Sequence, residues 1–421
     1  MSVLGAIAKG ALRQHKNLEK APKIVTGILR TLQKNNDALE LIIQRGEQRK
    51  PLIIPLVWLR DHCRHPRNYN EVTKQRKSNA VDILEKATID ETTQSVNITD
   101  GTTLAVRWKD GLESEFHIND LIESALFDQK PETRGINLWK KLNADELPRL
   151  EMSSLNMKSF VEMFVKYGFV MVDGVEATAE ATEALCKKIA PIHDTFFGAF
   201  WVFSNQTQEN GEEYHEDTAY GNEEIGPHTD GTYFNQTPGV QVFHCLHPAE
   251  EGGDTLLVDG FRCADSLKKA NPGAFEMLSK RKIEHHYIEG ENTSGALYST
   301  SLEKSVIELD SQGNMVQIRF NPYDRAPFRA LKEGEDSILY ARDALAYYQS
   351  YSAFSSICHA PENSTAISLR PGTVIFLDNY RVLHSRTSFK GWRQMCGCYL
   401  SRDNLMAKAR PLLPTKIRRF I

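Results

Sequence analysis

The stretch His228-Thr-Asp-Gly-Thr-Tyr-Phe234 and the stretch that follows it, Gly239-Val-Gln-Val-Phe-His-Cys-Leu246, decide the fold. The second stretch is apolar and rich in β-branched and aromatic residues, with Pro238 before it and Pro248 after it. It therefore predicts a buried β-strand. In a strand, residues two apart point to the same face, so we expect His228 and Asp230 to converge on one metal ion.

A third metal ligand is predicted far along the chain. His384 follows Pro371-Gly-Thr-Val-Ile-Phe-Leu-Asp378, a second turn-then-strand unit. Two imidazoles and one carboxylate are the ligand set that holds non-haem Fe(II) and leaves coordination positions open. Arg393, nine residues after His384, could bind a dicarboxylate co-substrate through a bidentate ion pair. Together these residues predict an iron oxygenase that uses 2-oxoglutarate.

A second His-x-Asp motif competes with the first. His215-Glu216-Asp217 lies in a polar stretch rich in Gly and Glu, which is typical of a loop, and no strand pattern follows it. This contrast favours His228 as the ligand. Solvated or core histidines without a metal remain the alternative for any such motif.

The amino-acid composition limits the classes of protein to which the chain can belong. The chain has 421 residues, a net charge of −4 and 41% hydrophobic residues, so it is long enough for more than one core and is not a dedicated nucleic-acid binder. No apolar run is long enough to predict a membrane span. The seven cysteines are scattered and odd in number, which favours a reducing intracellular compartment over a disulfide framework.

The N-terminal 34 residues have a basic bias. They hold seven Lys or Arg residues and one acid, Glu19, with apolar residues at helical intervals such as Ile24, Ile28 and Leu32. This pattern resembles a mitochondrial presequence, and an ordinary basic amphipathic helix is the alternative. We therefore expect a mitochondrial location, with a cytoplasmic one as the alternative.

The predicted organisation has four parts. Residues 1–49 form the basic N-terminal segment, and residues 50–120 form a small β-rich domain. Residues 121–150 form a linker, and residues 151–421 form the main domain. There we expect helices over Asn156–Tyr167, Ala179–Ala190 and Asp336–Ser350, and mainly strands from about residue 195 onward. The predicted fold is therefore mainly β with flanking helices.

Five motifs resemble one known family. The iron motif from His228, the strand from Gly239 and the turn Gly252-Gly-Asp-Thr-Leu-Leu-Val-Asp-Gly260 stand in the family's order. Two further motifs follow, Phe376-Leu-Asp-Asn-Tyr-Arg-Val-Leu-His384 and Arg393-Gln-Met-Cys-Gly-Cys-Tyr-Leu-Ser-Arg-Asp403. They resemble the γ-butyrobetaine hydroxylase and trimethyllysine dioxygenase family of carnitine biosynthesis, from about Val57 to the C-terminus.

The resemblance implies a fold and a set of cofactors. It implies a double-stranded β-helix (jelly-roll) oxygenase core behind a small β-rich N-terminal domain, and it implies Fe(II), 2-oxoglutarate and ascorbate as requirements. His228, Asp230 and His384 match the family's iron ligands. Arg393 matches the arginine that binds 2-oxoglutarate, and Thr255 is a second candidate contact to this co-substrate.

The resemblance also implies a trimethylammonium substrate. A quaternary nitrogen has no N–H to donate, so aromatic faces must hold it. The family's aromatic cage corresponds to Phe197, Trp201, Tyr220 and Tyr399. Phe197 stands where better-known members have tyrosine, and a phenyl face attracts the cation less well, so the resemblance implies a somewhat weaker cage. Core packing is the alternative role of each aromatic residue.

The finer motifs look more like trimethyllysine dioxygenase than like the butyrobetaine enzyme. We therefore expect hydroxylation of N6,N6,N6-trimethyllysine at C3, and Asp217 could pair with the α-ammonium group of that substrate. A loop-capping role is the alternative for Asp217. γ-Butyrobetaine hydroxylation is the alternative reaction, and a non-catalytic trimethylammonium-binding protein is the alternative of another class.

One departure from the family concerns zinc. The family's N-terminal domain usually holds a structural zinc through three cysteines and one histidine. Here Cys63 is kept and His65 could replace a cysteine, but Asn68 and Leu112 stand where further ligands are expected. Since a structural zinc site needs four protein ligands, we expect no zinc here.

The expected partner is a small-molecule substrate, and we expect no binding to nucleic acid or membrane. The sequence leaves open whether the protein forms a homodimer.

Overall fold

The computed structural model describes residues 26–31, 37–45, 47–89, 95–125, 135–205, 221–290, 293–414 and 417. The chain divides into two compact units, Met1–Gln129 and Lys130–Ile421. No helix in the described ranges is long and apolar enough to cross a membrane.

The N-terminal unit contains two three-stranded antiparallel sheets and a short hairpin. The first sheet orders Thr26–Thr31, Ala38–Arg45 and Gln48–Pro55, and the second orders Val96–Thr99, Thr103–Arg107 and Glu113–His117. The hairpin pairs Tyr69–Asn70 with Gln75–Arg76. The helices of this unit are Leu56–Asp61, Ile83–Lys86 and Ile118–Ala125.

Two expectations for the start of the chain need correction. A helix is wrong for residues 26–31, which form a strand that includes Ile28. The β-rich unit also begins before residue 50, because Ala38–Arg45 pairs along its whole length with Gln48–Pro55. Alternating burial in the second strand explains the difference, since Leu39, Leu41 and Ile43 are buried at a strand spacing of two. Residues 1–25 lie outside the described residues.

The segment compared with a zinc site is packed through other contacts. Cys63 is buried, and its sulfur accepts a hydrogen bond from Ser114 Oγ at 2.9 Å. Asn68 Nδ2 donates to the carbonyl oxygens of Arg60 and Cys63, both at 3.2 Å. Leu112 is part of the apolar core of this unit. The absence of zinc stays a prediction.

The larger unit is built on a six-stranded sheet. All neighbouring strands are antiparallel except the parallel pair at one edge, Arg149–Glu151 and Phe169–Asp173. The order across the sheet is Trp201–Ser204, Gln394–Leu400, Val240–His247, Thr373–Asp378, Phe169–Asp173, Arg149–Glu151. The predicted strand from residue 240 is therefore observed at the centre of the sheet.

A four-stranded antiparallel sheet supplies the two histidines of the predicted metal site. Its order is Ile225–His228, Val382–Arg386, Thr255–Asp259, Ser364–Ile367. In the register of its first two strands, His228 lies directly opposite His384. A mostly β unit with helices on the outside agrees with the predicted fold class.

Helices cover the outer face of the six-stranded sheet. Phe160 and Phe164, one turn apart, pack with the sheet residue Phe376 in one apolar cluster. The helices on this face are Met157–Tyr167, Ala179–Ile189 and Arg402–Ala409. Asn156 begins the first of them by accepting a hydrogen bond from the Ser159 amide, as expected of an N-cap.

A second helical group packs around Phe320 and Phe354. Its helices are Gly260–Ala270, Pro272–Lys280 and Ser337–His359. The last is longer than the predicted Asp336–Ser350, because buried Tyr351, Phe354 and Cys358 continue its apolar face. The remaining short strands of the unit are Glu251–Gly252, Lys282–Ile283, His286–Glu289, Leu297–Thr300, Lys304–Ser305, Ile307–Leu309, Met315–Ile318 and Phe389–Lys390.

The predicted linker, residues 121–150, is only partly a linker. Helix Ile118–Ala125 reaches into its start. Trp139 is buried, and its indole nitrogen donates to the Tyr167 carbonyl at 2.6 Å. The described residues 135–150 therefore belong to the larger unit, because a buried tryptophan ties them to its core.

The central strand Val240–His247 lies between the helices and a cavity inside the larger unit. Gln241 and Phe243 line the cavity, whereas His244 points to the opposite face, toward helix Ala179–Ile189. His244 Nδ1 donates to Thr182 Oγ1 at 2.7 Å, and its Nε2 accepts from the Gly372 amide at 3.0 Å. Burial lowers the pKa of His244 to about 4, so this imidazole is neutral in the folded protein.

Candidate active site

The three predicted iron ligands lie together. His228 Nε2 is 3.3 Å from Asp230 Oδ1, and His384 Nε2 is 3.4 Å from the same oxygen. The ligand atoms of the three residues all lie within 4.8 Å of one another. Among the described residues this is the one group of three or more His, Cys, Asp or Glu side chains with such spacing.

Asp230 reaches the site from a turn and not from a strand. The strand ends at His228, and Asp230 and Gly231 begin the turn that follows it. The alternation argument for His228 and Asp230 is therefore wrong, although the two side chains do converge. Gly231 has a φ of +63°, and a Cβ there would lie 2.6 Å from the Pro238 ring, so the tight turn requires glycine.

Asn379 holds this turn in place. Its Oδ1 accepts from the Asp230 amide at 2.8 Å, and its Nδ2 donates to the carbonyl oxygens of Asp230 and Pro238, both at 2.9 Å. Asn379 is completely buried. Sequence reasoning missed its role, although an asparagine just after an apolar strand was a signal.

The imidazole of His228 is oriented for metal binding. Its Nδ1 donates to the Gly226 carbonyl at 2.8 Å, and its Nε2 faces Asp230 Oδ1 at 3.3 Å. A hydrogen bond to the second ring nitrogen is the usual way in which proteins fix a ligating histidine. The Gly226 amide in turn donates to the Tyr323 hydroxyl at 2.7 Å.

The charge state of the site suits a divalent cation. Burial raises the pKa of the Asp230 carboxyl, but the neighbouring His384 and His228 outweigh this and hold the pKa far below its usual value. Burial lowers the pKa of His384. Burial also lowers the pKa of His228, but its hydrogen bond to Asp230 and the Asp230 charge outweigh this and raise the pKa. An ionised carboxylate with two imidazole nitrogens on one side of a cavity fits Fe(II).

A cavity of about 180 Å³ opens in front of the three ligands. The predicted residues Phe197, Trp201, Thr255, Arg393 and Tyr399 line it. Tyr220, Asp217 and His215 lie outside the described residues. The cavity also has lining residues that the sequence did not predict: Phe203, Ile225, Gly231, Tyr233, Gln241, Phe243, Asn321, Tyr323, Asp324, Ser385, Arg386 and Met395.

Arg393 is a buried cation that lines the cavity. Its guanidinium lies 5.5 Å from the centre of the Phe389 ring, and the residue is only 8% exposed. Burial lowers the pKa of Arg393. In the described part of the chain no carboxylate forms an ion pair with it. A buried guanidinium without a protein anion favours an anionic ligand, since a buried charge needs a partner.

The sequence did not predict that a second arginine, Arg386, would line the cavity. It lies two residues after His384 on the same strand, opposite Thr255, and its guanidinium is 5.1 Å from the Phe389 ring. Its Nη2 donates to the Glu223 carbonyl at 2.7 Å. The spacing of two from His384 was a signal for a cavity-lining role.

Trp201 and Tyr399 form an aromatic wall of the cavity, and Phe197 packs in a separate aromatic group. Trp201 and Tyr399 lie on neighbouring strands with their ring centres 5.1 Å apart and edge to face. A Cβ at Gly397 would come within 2.8 Å of the Trp201 ring, so glycine at this position lets the indole lie against the strand. Phe197 packs edge to face on Tyr287 at 5.3 Å. Cys396 and Cys398 are buried, and Cys398 belongs to the same apolar cluster as Cys186.

Residues 132–399 match the family model described as Taurine catabolism dioxygenase TauD, TfdA family. The match covers most of the larger unit and contains every described site residue. The chain belongs to this family of dioxygenases, which confirms the predicted class of enzyme.

Individual relatives indicate a smaller group of enzymes within this family. The mitochondrial trimethyllysine dioxygenase of Rattus norvegicus is 34% identical over 372 residues, which cover 85% of this chain and 82% of the relative. That of Homo sapiens is 35% identical over 370 residues, with the same shares of each chain. The gamma-butyrobetaine dioxygenase of Homo sapiens is 26% identical over 380 residues, covering 86% of this chain and 91% of the relative. The predicted resemblance to this group of enzymes is confirmed.

Proposed function

We propose that this protein hydroxylates N6,N6,N6-trimethyllysine at C3, the first step of carnitine biosynthesis, and releases succinate and CO2. The observation that carries the proposal is the convergence of His228, Asp230 and His384 on a cavity that is also lined by Trp201 and Tyr399. Relatives named trimethyllysine dioxygenase support the choice of substrate.

The two sheets of the larger unit are the halves of a double-stranded β-helix in this proposal. The four-stranded sheet presents His228 and His384, and the six-stranded sheet presents Trp201 and Tyr399. The proposed catalytic domain extends over residues 151–421, together with the packed residues that precede it, and a small β-rich domain lies before it.

His228, Asp230 and His384 would hold Fe(II) in this enzyme. Bound iron with 2-oxoglutarate supplies the oxidation that places one oxygen atom of O2 in a C–H bond while 2-oxoglutarate becomes succinate and CO2. Arg393 would bind the distal carboxylate of 2-oxoglutarate, with the Thr255 hydroxyl as a second contact. We also expect the enzyme to require ascorbate for activity.

The aromatic wall would hold the trimethylammonium group. Phe197, Trp201 and Tyr399 present ring faces and edges to the cavity, and Tyr220 is proposed as a fourth member. The attraction of a cation to an aromatic face needs no hydrogen bond, so it suits a nitrogen that carries only methyl groups. The role of the wall is to position C3 in front of the metal, since hydroxylation requires close approach of one carbon.

Asp217 stays a proposed contact to the α-ammonium group.

A mitochondrial location is proposed because relatives are named mitochondrial trimethyllysine dioxygenase. γ-Butyrobetaine hydroxylation is the second candidate function, favoured by the match to gamma-butyrobetaine dioxygenase along most of the chain.

A two-substrate assay tests the proposal. Purified protein with Fe(II), 2-oxoglutarate and ascorbate is given trimethyllysine or γ-butyrobetaine, and succinate and the hydroxylated product are measured. We expect kcat/KM for trimethyllysine to be higher by at least about tenfold. Preference for butyrobetaine would contradict the proposed substrate. Tight binding without succinate release would instead support a non-catalytic trimethylammonium-binding protein.

A further inference from the structure

We propose that Asp324 binds the α-ammonium group of the substrate and makes the site selective for an amino acid. This inference rests on the proposed function, because it takes trimethyllysine as the substrate. Asp230 and Asp324 are the two carboxylates that line the cavity among the described residues. Asp230 faces the two histidines as a metal ligand, so among the described lining residues Asp324 is the carboxylate that we assign to the substrate cation.

The segment that carries Asp324 is fixed beside the metal site. The Thr229 amide donates to the Phe320 carbonyl at 2.8 Å, and the Phe320 amide donates to Thr229 Oγ1 at 3.1 Å. These bonds attach the segment to the residue between His228 and Asp230. The Tyr323 hydroxyl, which accepts from the Gly226 amide, makes a further attachment on the His228 side.

The carboxylate of Asp324 is oriented by its neighbours. Asn321 Nδ2 donates to Asp324 Oδ2 at 2.6 Å, and Asn321 Oδ1 accepts from the Tyr323 amide at 2.9 Å. The Asp324 carbonyl accepts from the His286 amide at 2.8 Å. Both the backbone and the side chain of Asp324 are therefore held, which reduces the entropy lost when a ligand binds.

The length of the substrate places its α-ammonium group near this segment. In trimethyllysine, four bonds separate the quaternary nitrogen from C3, and the carbon that bears the α-ammonium group is the next one. Trp201 and Tyr399 hold the quaternary end on the wall formed by the six-stranded sheet. With C3 in front of the metal ligands, the α-ammonium group lies next to them. The segment of Asp324 is close to this point, because the Tyr323 ring centre is 6.1 Å from that of His228.

The chemistry of the contact explains selectivity. An ammonium group donates charge-assisted hydrogen bonds to a carboxylate, and these are stronger than bonds between neutral groups. γ-Butyrobetaine has no ammonium group beyond its reacting carbon and carries a carboxylate there. Trimethyllysine carries its own carboxylate at the same distance from C3, so the difference is the α-ammonium group: it can offset the repulsion from Asp324, whereas γ-butyrobetaine has no such group.

The test compares two compounds that differ only in the α-amino group. Trimethyllysine and 6-(trimethylammonio)hexanoate are assayed with the Fe(II)- and 2-oxoglutarate-loaded wild type and with Asp324→Asn. We expect Asp324→Asn to lower kcat/KM for trimethyllysine about 100-fold, mainly through KM, and to change that for the hexanoate by less than about threefold. Calorimetric titration of both compounds under nitrogen should show the same selective loss of affinity.

Controls separate this inference from its alternatives. Asp145→Asn removes an exposed carboxylate in the same unit and should leave both substrates unaffected. Equal losses on both compounds in Asp324→Asn would assign Asp324 a structural role and overturn the inference. Selective loss in Asp217→Asn and not in Asp324→Asn would also overturn it. A wild type that does not hydroxylate trimethyllysine would defeat the proposed function itself, an outcome visible before any variant is made.

Discussion

The Tyr399 hydroxyl donates a hydrogen bond to Asp230 Oδ2 across 3.0 Å. Tyr399 belongs to the aromatic wall, and Asp230 is the carboxylate of the proposed iron site. The bond leaves Asp230 Oδ1 facing the two histidines, which approach it at 3.3 and 3.4 Å. One residue of the proposed substrate pocket thus also orients a metal ligand.

Tyr399→Phe should weaken metal binding more than substrate binding. The variant keeps the ring but loses the hydroxyl that orients Asp230, and loss of such a contact costs about tenfold or more in metal affinity. Anaerobic titration with Fe(II) or Co(II) measures this change. Tyr298→Phe, an exposed tyrosine, is the matched control. Wild-type metal affinity in Tyr399→Phe would show that the hydrogen bond has no such role.

His384→Ala should abolish turnover. It removes one of three ligands, so the remaining two cannot hold Fe(II) in the required geometry. Succinate release and metal content per chain are the measurements. His117→Ala, which changes an exposed histidine of the N-terminal unit, should behave as wild type. Residual turnover above a few per cent in His384→Ala would argue against the assignment of the ligands.

Arg393→Ala should raise the KM for 2-oxoglutarate by about 30- to 100-fold, because it removes a buried charge-assisted contact to the distal carboxylate. The KM for trimethyllysine should change little. Arg393→Lys keeps the charge without the planar fork, so we expect an intermediate value. Arg149→Ala, at a surface ion pair with Asp173, is the control. An unchanged 2-oxoglutarate dependence would place the co-substrate elsewhere.

Gly397→Ala should displace the Trp201 ring. A Cβ at this position would lie 2.2 Å from the Val242 carbonyl oxygen and 2.8 Å from the indole, so strand and ring must move apart. We expect the KM for trimethyllysine to rise about tenfold or more and tryptophan fluorescence to change, together with a lower Tm. Gly295→Ala, where a Cβ would meet nothing within 4 Å, is the control and should match wild type.

The free energy of unfolding should fall as the pH drops below 6.5. The pKa of His244 is about 4 in the folded protein, below its ordinary value of 6.5, so the unfolded chain binds the proton more readily. The contribution of His244 is therefore fully present above pH 6.5 and is lost as the pH falls toward 4, by about 2 to 3 kcal/mol. Urea unfolding between pH 4.5 and 7.5 measures this profile. His244→Gln should make the profile less steep, with the remaining slope due to groups such as His285, whose pKa burial lowers to about 3, whereas His117→Gln should leave the profile unchanged.

Sequence patterns predicted those parts of the site that depend on local features. The apolar run from Val240 predicted the central strand because its length and β-branched content suit a buried strand. His228, Asp230 and His384 were identified by ligand chemistry. The geometry that joins them was not foreseen, because Asp230 reaches the site from a turn held by Asn379 and not from a strand.

The remaining features depend on contacts between distant parts of the chain. Arg386 lines the cavity because its strand pairs with that of Thr255, and Asp324 lines it because Phe320 bonds to Thr229. No local pattern states which strands will pair. The strand Thr26–Thr31 was missed because its apolar spacing also suits a helix.

The hydrogen bonds between Asn379 and Asp230 have a consequence for the synthesis of the protein on the ribosome. A ribosome completes the chain from its N-terminus, so His228 and Asp230 emerge long before Asn379 and His384. Until those residues arrive, the turn at Asp230 lacks the side chain that holds it and the second imidazole is missing. A nascent chain that ends before residue 384 therefore cannot form the iron site, and iron loading must follow translation of nearly the whole catalytic domain.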